Sequence, residues 1–225
     1  MIRYSTRTVK GQDRDENRDR VGAAFDGVRG IFVVVDGTSK PGSGQLAQAL
    51  VDQIFTGYQA RIENGVSDSG HDQVETLLKD VLQDAHSSLF SGGVTGSASY
   101  LVAVVSGELL TVAYEGDCSA GVTSHNNPIA WITAPHCLAN WRRDRSHRQL
   151  ATDKGRHQIS RSFKARKNPD PEFVTRAAIA GETLVFATDG FWADLSDAAQ
   201  IQLLGLDAPD PNHVDDDVTW IVVQI

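Results

Sequence analysis

The sequence predicts an α+β fold in which helices and strands form separate layers. A β-branched apolar run at residues 31–35 comes first, and two amphipathic segments at 45–63 and 73–89 follow it. A series of short β runs comes next, so helices and strands are grouped instead of alternating as in βαβ proteins. With 225 residues, of which 40% are hydrophobic, the chain suits a single domain over residues 1–225 with a sizeable core.

Each element has a local reason. The run at 31–35 is uniformly apolar and stops at Asp36-Gly37, as a buried strand does. The two helices repeat apolar residues at helical spacing. Those residues are Leu46, Leu50, Ile54 and Tyr58 in the first, and Leu77, Leu78, Val81, Leu82 and Ala85 in the second.

The second half of the chain is richer in strands. Short β runs at 99–105, 109–114, 120–123 and 129–133 are separated by Gly, Asn, Asp or Pro, which favour hairpin turns. Two further strands are predicted at 183–188 and 218–225, with a helix between them near 197–204.

Composition and charge exclude several classes of protein. The net charge of -8 disfavours general nucleic-acid binding. No apolar run reaches the roughly 18 residues of a membrane span, and the N-terminus does not resemble a signal peptide. The two cysteines, Cys118 and Cys137, fit free thiols in a reducing cytoplasm, so we expect a cytoplasmic protein.

One segment departs from the acidic average. Residues 142–167 contain ten Lys or Arg against two Asp, so this segment carries +8 and the rest of the chain -16. A solvated loop and a surface that receives an anionic substrate both explain such a run.

Acidic residues follow several of the apolar strands. The motifs are Asp36-Gly37, Glu115-Gly116-Asp117 and Asp189-Gly190, and Asp215-Asp216-Asp217 precedes the last strand. A single Asp-Gly is most often a turn. Several carboxylates at strand ends can instead converge on a hard divalent cation, which prefers oxygen ligands.

These motifs, with their neighbours, resemble those of the type 2C metal-dependent protein phosphatases, in the same order. The matching segments are Arg14 with Asn17-Arg18-Asp19, then 33–37, 95–99, 116–120, 132–136, 160–162, 188–192 and 216–219. The resemblance extends from about Arg14 to Ile225. It implies a four-layer α-β-β-α sandwich of two antiparallel sheets flanked by helices.

The resemblance also implies a reaction and a metal site. The reaction is hydrolysis of phosphoserine and phosphothreonine on proteins, with two Mg²⁺ or Mn²⁺ ions as cofactors. The implied metal ligands are Asp19, Asp36, the carbonyl of Gly37, Asp189 and Asp216, with Asp117 as the candidate for a third ion. A phosphorylated protein would be the substrate, and the enzyme would oppose a serine/threonine kinase.

Other residues are candidates for handling the substrate. Arg14 would grip the phosphate, since a guanidinium pairs with phosphate bidentately. His136 is the candidate proton donor to the leaving group. Lys40, Arg142, Arg143 and Arg161 are candidate substrate-binding residues.

Departures from the family pattern keep a second hypothesis open. Arg18 stands where the family has an acidic or amide side chain, and Ala193 replaces an aspartate of the third metal site, with Asp194 one position away. A non-catalytic relative that binds a phosphoprotein or a signalling partner would also explain them. The Gly42-Ser43-Gly44 sequence lacks a phosphate-binding-loop pattern, which disfavours a nucleotide-binding enzyme.

Overall fold

The computed structural model describes residues 2–68, 70–124 and 127–225. Its strands are β1 (Arg3–Val9), β2 (Asp19–Phe25), β3 (Arg29–Gly37), β4 (Ser97–Ser106), β5 (Leu109–Glu115), β6 (Ser119–Thr123), β7 (Ala130–Trp131), β8 (Phe163–Lys164), β9 (Glu172–Ala177), β10 (Thr183–Ala187) and β11 (Val218–Gln224). Its α-helices are α1 (Ser43–Glu63), α2 (His71–Ser91), α3 (His147–Ala151), α4 (Asp189–Asp194) and α5 (Asp197–Gln202).

The strands form two antiparallel sheets, as the α+β sandwich prediction required. The first sheet has the order β1-β11-β10-β6-β7, and the second has the order β2-β3-β4-β5-β9 with β8 paired to β4. The link from β5 to β6, which contains Asp117, crosses from the second sheet to the first.

The central strand β3 is buried on both of its faces, and for this reason its sequence is continuously apolar. Phe32 and Val34 face the other sheet and pack with residues such as Phe186 and Ile221. Val33 and Val35 point the opposite way, into the core shared with α1 and α2. Successive side chains of a strand alternate between its faces, so one strand serves both cores.

The helical layer outside the first sheet is thinner than the helical layer outside the second sheet. The outer face of the first sheet is covered by α4, α5 and the chain after them, through residues that include Phe191, Leu203 and Trp220. Both helices have six residues, whereas α1 and α2 have 21 each. Among the described residues, no helix combines the length and apolarity that crossing a membrane requires.

Most of the predicted elements are confirmed, and the differences have physical causes. The strand expected at 129–133 shortens to Ala130–Trp131, just after Pro128. The strands β1, β2 and β9 were not predicted, because their partly exposed faces carry polar residues that weaken the apolar signal. Asp189, predicted to follow a strand, does follow β10 closely and is the first residue of α4.

Candidate metal centre

The strand register brings two of the predicted carboxylates side by side. Asp19 is the first residue of β2, and Asp36 lies near the end of β3, where the two are direct antiparallel partners. Side chains at such positions have Cβ atoms about 4.5–5.5 Å apart, and like charges there are destabilising. This pair therefore favours a cation or a proton between its members.

Asp36 lies at the centre of the acidic cluster. Burial raises its pKa well above the usual value, and the negative charges of Asp19, Asp189, Asp117 and Asp216 raise it further. Among the hydrogen bonds of the described residues, none ends on the Asp36 carboxylate. A partly buried carboxylate that accepts no hydrogen bond and is surrounded by other carboxylates is suited to binding a cation.

Asp19 is more fully enclosed. It is 3% exposed, and the Thr188 hydroxyl donates a 2.7 Å hydrogen bond to its Oδ2. Burial raises the pKa of Asp19 to about 7, and the neighbouring Asp217 and Asp216 raise it while the bond from Thr188 lowers it. Because Thr188 directly precedes α4, this bond ties the second sheet to the strand end of the first.

Asp216 comes from the first sheet, immediately before β11, and is paired with Arg14. The Arg14 Nε lies 2.7 Å from Asp216 Oδ1, and its Nη2 lies 2.5 Å from Oδ2. The next residue, Asp217, is also fixed, since it accepts hydrogen bonds from the backbone N–H groups of Gly11 and Arg18. The predicted phosphate ligand and a predicted metal ligand are thus in direct contact.

Asp189 is held by a residue that the sequence did not single out. Arg156 Nη1 donates to Asp189 Oδ2 at 2.9 Å, and its Nη2 donates to Asp194 Oδ1 at 2.6 Å. Burial raises the pKa of Asp189 well above its usual value, as does the charge of Asp117, while Arg156 lowers it. Arg156 was hidden in the basic run at 142–167, whose other members give no cue that one of them is buried.

Asp117 completes the cluster on the link between the sheets. The Ser99 hydroxyl donates a 2.7 Å bond to its Oδ1, and the Trp192 indole N–H donates to its carbonyl. Burial raises the pKa of Asp117, and the bond from Ser99 lowers it. Asp117 therefore lies where β4, β5 and α4 meet.

Most of these carboxylates line a cleft of about 350 Å³, which we call the acidic cleft, whereas Asp19 does not line it. Its lining includes Asp36, Gly37, Asp117, Asp189, Asp216, Asp217, Arg14, Arg18, Lys40 and His157. Within the described part of the chain, no three His, Cys, Asp or Glu side chains stand together in an arrangement that could hold a metal ion. Two of the lining carboxylates, Asp216 and Asp189, are paired with Arg14 and Arg156.

Gly37 is required for the backbone to pass through this edge of the molecule. A Cβ atom added there would lie 2.8 Å from the carbonyl oxygen of Ser43 and 2.9 Å from that of Arg18. Both are backbone atoms that have no room to move away. The Asp-Gly motif is therefore explained by close packing between the end of β3, the start of α1 and the approach to β2.

His136 is built into the fold and does not line the acidic cleft. Its ring is 2% exposed, its Nδ1 accepts a hydrogen bond from the Gly116 N–H, and its Nε2 lies 3.0 Å from Glu172 Oε1. Burial lowers the pKa of His136 to about 4, although Glu172 acts against this. A neutral, enclosed imidazole is a poor proton donor, so this geometry argues against the predicted role.

His157 has the position that a proton donor needs. It is exposed and lines the acidic cleft. It follows Arg156 directly in a short 3₁₀ helix, Lys154–His157. It lies in none of the matched motifs, and for that reason sequence reasoning missed it.

The four basic substrate-binding candidates separate into two groups. Lys40 is exposed and lines the acidic cleft, whereas Arg142, Arg143 and Arg161 do not line it. Arg143 and Arg161 both donate hydrogen bonds to Glu172, and Arg161 also pairs with Asp170, so both guanidinium groups have acidic partners within the fold. Arg142 is exposed and stacks on Trp141, with 4.8 Å between its guanidinium carbon and the ring centroid.

Arg18, the cation that departs from the family pattern, also lines the cleft. Its Nε lies 3.6 Å from Glu16 Oε1. Its backbone N–H donates to Asp217. The nearby Glu16 therefore offsets part of the charge that Arg18 brings to the cleft.

Comparison with known proteins gives a consistent result for the fold. No protein-family model and no curated protein sequence matches the chain. Among solved structures, a serine/threonine phosphatase of S. agalactiae matches with a TM-score of 0.80 at 15% identity, covering 100% of both chains. Stp1 from Staphylococcus aureus, also a serine/threonine phosphatase, matches with a TM-score of 0.80 at 20% identity, covering 100% of this chain and 95% of its own.

A third structure includes metal ions. The catalytic domain of the serine threonine protein phosphatase PstP, in complex with 2 manganese ions, matches with a TM-score of 0.68 at 18% identity, covering 99% of this chain and 97% of its own. At these identities the matches establish the fold. The chain has the fold of these phosphatases over its whole length.

Proposed function

We propose that this chain is a metal-dependent protein serine/threonine phosphatase whose active site is the acidic cleft. The observation that carries the proposal is the Asp36 carboxylate, which is partly buried, accepts no hydrogen bond from the described residues and is surrounded by Asp19, Asp117, Asp189 and Asp216. The carboxylates of such a cluster repel one another when ionised, and bound divalent cations offset this repulsion. The fold shared with three phosphatase structures supports the same conclusion.

The oxygen-only donor set fits Mg²⁺ or Mn²⁺ better than zinc, which is usually bound by His and Cys. Asp19, Asp36, the Gly37 carbonyl, Asp189 and Asp216 would hold two ions, and Asp117 is the remaining candidate for a third. Two such ions would supply a water that is nucleophilic at neutral pH and would neutralise charge on the phosphoryl oxygens.

The chain's own cations would orient the substrate. Lys40, at the mouth of the acidic cleft, would attract a phosphoryl oxygen as a point charge. Arg14 uses its Nε and Nη2 on Asp216. Its other terminal nitrogen remains for the phosphate, so Arg14 would fix a metal ligand and the substrate in one geometry.

His157 is our candidate for protonating the leaving serine or threonine oxygen. It lines the acidic cleft and is exposed, so it can exchange protons with solvent. An alkoxide is a poor leaving group, and a positioned acid typically contributes about 10²–10⁴-fold to such a step. We therefore propose His157 in place of His136, which packs against Glu172.

The substrate would be a phosphorylated protein segment, the product of a serine/threonine kinase. Of Arg142, Arg143 and Arg145, Arg142 is the exposed one, whereas Arg143 and Arg145 pair with Glu172 and Asp153. Reversing the charge with Arg142→Glu should raise KM for an acidic phosphopeptide and leave p-nitrophenyl phosphate unaffected. If the wild type and Arg142→Glu have equal KM values for the peptide, Arg142 is not part of the surface that binds the substrate.

The test of the function itself uses metal-free protein. After EDTA treatment and dialysis, Mn²⁺ or Mg²⁺ is titrated in while hydrolysis of p-nitrophenyl phosphate and of a phosphothreonine peptide is measured. We expect metal-dependent turnover that Asp36→Asn abolishes and that Asp80→Asn, an exposed change on α2, does not alter. An absence of turnover at every metal concentration would contradict the proposal.

A phosphoprotein-binding domain without catalytic activity is the second candidate. The observation that favours it is that Arg14 and Arg156 neutralise Asp216 and Asp189 within the fold. This candidate predicts that the chain retains a phosphopeptide on a column but does not hydrolyse it, with or without Mn²⁺.

A further inference from the structure

Arg156 is a buried cation in an acidic site. The residue is 8% exposed, although it belongs to the most basic segment of the chain. The 3₁₀ helix that carries it is anchored by Asp153, whose side chain accepts a hydrogen bond from the Gly155 N–H. The backbone at Arg156 is therefore fixed before the side chain enters the acidic cluster.

The guanidinium spans two carboxylates of one short helix. Its Nη1 bonds Asp189 and its Nη2 bonds Asp194, at opposite ends of α4. A planar fork with several N–H groups can hold two carboxylates at once, which the single ammonium of lysine cannot do with the same geometry. Both bonds are charge-assisted and mostly shielded from water, since the Arg156 side chain is 9% exposed and that of Asp189 15% exposed.

The same guanidinium acts on a third carboxylate. Its positive charge lowers the pKa of Asp117 against the rise that burial causes. Three acidic side chains, Asp117, Asp189 and Asp194, therefore experience one fixed positive charge. Asp189 and Asp194, which share this guanidinium, are oxygen donors of the kind that a divalent ion binds.

We propose that Arg156 is a permanent cation beside the acidic cleft, whose guanidinium takes the space and the charge balance that one additional metal ion would need between Asp189 and Asp194. The inference rests on the proposed function in assuming that the other carboxylates bind metal ions. Arg156 is a positioning residue, because it holds Oδ2 of Asp189, a residue that lines the acidic cleft. Asp194, which is bound to Arg156, holds no metal ion in this arrangement.

The test counts bound ions directly. Metal-free wild type, Arg156→Gln, Arg156→Lys and Asp194→Asn are titrated with MnCl₂ by isothermal calorimetry, and free Mn²⁺ is followed by electron paramagnetic resonance. We expect Arg156→Gln to bind one Mn²⁺ per chain more than the wild type. Arg156→Lys keeps the positive charge and should bind the wild-type number.

Asp194→Asn is the second, independent arm. Because Asp194 is neutralised by Arg156 in the wild type, we expect this variant to bind the wild-type number of ions. The double variant Arg156→Gln with Asp194→Asn should lose the ion gained by Arg156→Gln. Far-UV circular dichroism and thermal melting in EDTA check that each protein is folded.

The outcomes separate this inference from the proposed function. An unchanged ion count in folded Arg156→Gln, or the same gain in Arg156→Lys, overturns the role of the Arg156 charge. A lower count in Asp194→Asn also overturns it, and this arm decides the question if Arg156→Gln does not fold. A wild type that binds no Mn²⁺ contradicts the proposed function, while a gain of one ion in Arg156→Gln would still support the inference.

Discussion

Replacing Asp19 by Asn should stabilise the metal-free protein while it damages the metal centre. Burial, together with Asp217 and Asp216, raises the pKa of Asp19 from 3.8 to about 7. The folded protein thus prefers the neutral acid, and ionisation of Asp19 lowers the free energy of unfolding. This penalty is absent below pH 3.8, grows as the pH rises and is complete above pH 7. One pKa unit corresponds to about 1.4 kcal/mol, which makes the full penalty about 4 kcal/mol.

Asparagine avoids this penalty and keeps an oxygen that accepts the hydrogen bond from Thr188. We therefore expect Asp19→Asn to raise the free energy of unfolding by up to about 4 kcal/mol at pH 8 and by about 2 kcal/mol at pH 5. Urea denaturation in EDTA, followed by circular dichroism at both pH values, measures these differences. Asp80→Asn on the exposed face of α2 is the matched control, with a change near zero.

Addition of Mn²⁺ should reverse the order of stability, so that the wild type becomes more stable than Asp19→Asn. The ion binds the folded wild type and stabilises it by mass action, whereas Asp19→Asn has lost a ligand and gains less. If Asp19→Asn is no more stable than wild type at pH 8 in EDTA, the repulsion within the cluster is not what the geometry indicates. If the two proteins gain equally from Mn²⁺, Asp19 is not part of the metal centre.

Three further substitutions test other residues of the cleft. Lys40→Met should raise KM for a phosphopeptide about tenfold through the loss of a charge-assisted contact, whereas Lys79→Met on α2 should not, and equal KM values would contradict this. His157→Gln should lower kcat about 10²-fold on a phosphoserine peptide and little on p-nitrophenyl phosphate, whose leaving group needs no proton. His136→Gln should lower stability and leave the ratio of kcat on these two substrates unchanged. Gly37→Ala should lower the free energy of unfolding by about 1–3 kcal/mol in urea because its Cβ meets backbone atoms, and an unchanged midpoint would refute that clash.

The sequence was informative where burial is uniform or a turn is tight. The strand β3 and the helices α1 and α2 were predictable, because their apolar residues repeat with the period of the element that they form. The strands β1 and β9 were not, since their residues are partly exposed and mostly polar. Their pairing depends on β11 and β5, which are distant in the sequence, so no local pattern records it.

The candidate site shows the same limit. Carboxylates near the ends of apolar strands could be found because the motif is local, and four carboxylates surround that of Asp36. Arg156 and His157 could not be found, since a basic run does not reveal which of its members turns inward. His136 is the opposite case, because it lies in a recognisable motif while its ring contacts Gly116 and Glu172 inside the fold.

Both sheets contribute to the acidic cluster, with Asp19 and Asp36 on strands of one and Asp189 and Asp216 next to strands of the other. An ion shared across that boundary would join the sheets as a cross-link does, at the edge where their apolar contact ends. The stability of the sandwich would then depend on the concentration of divalent cations in the cell. At a free concentration one hundred times Kd, binding adds about 2.7 kcal/mol to the free energy of unfolding. Depletion of these cations would loosen the molecule first at this edge, so catalysis and resistance to proteolysis would decline together.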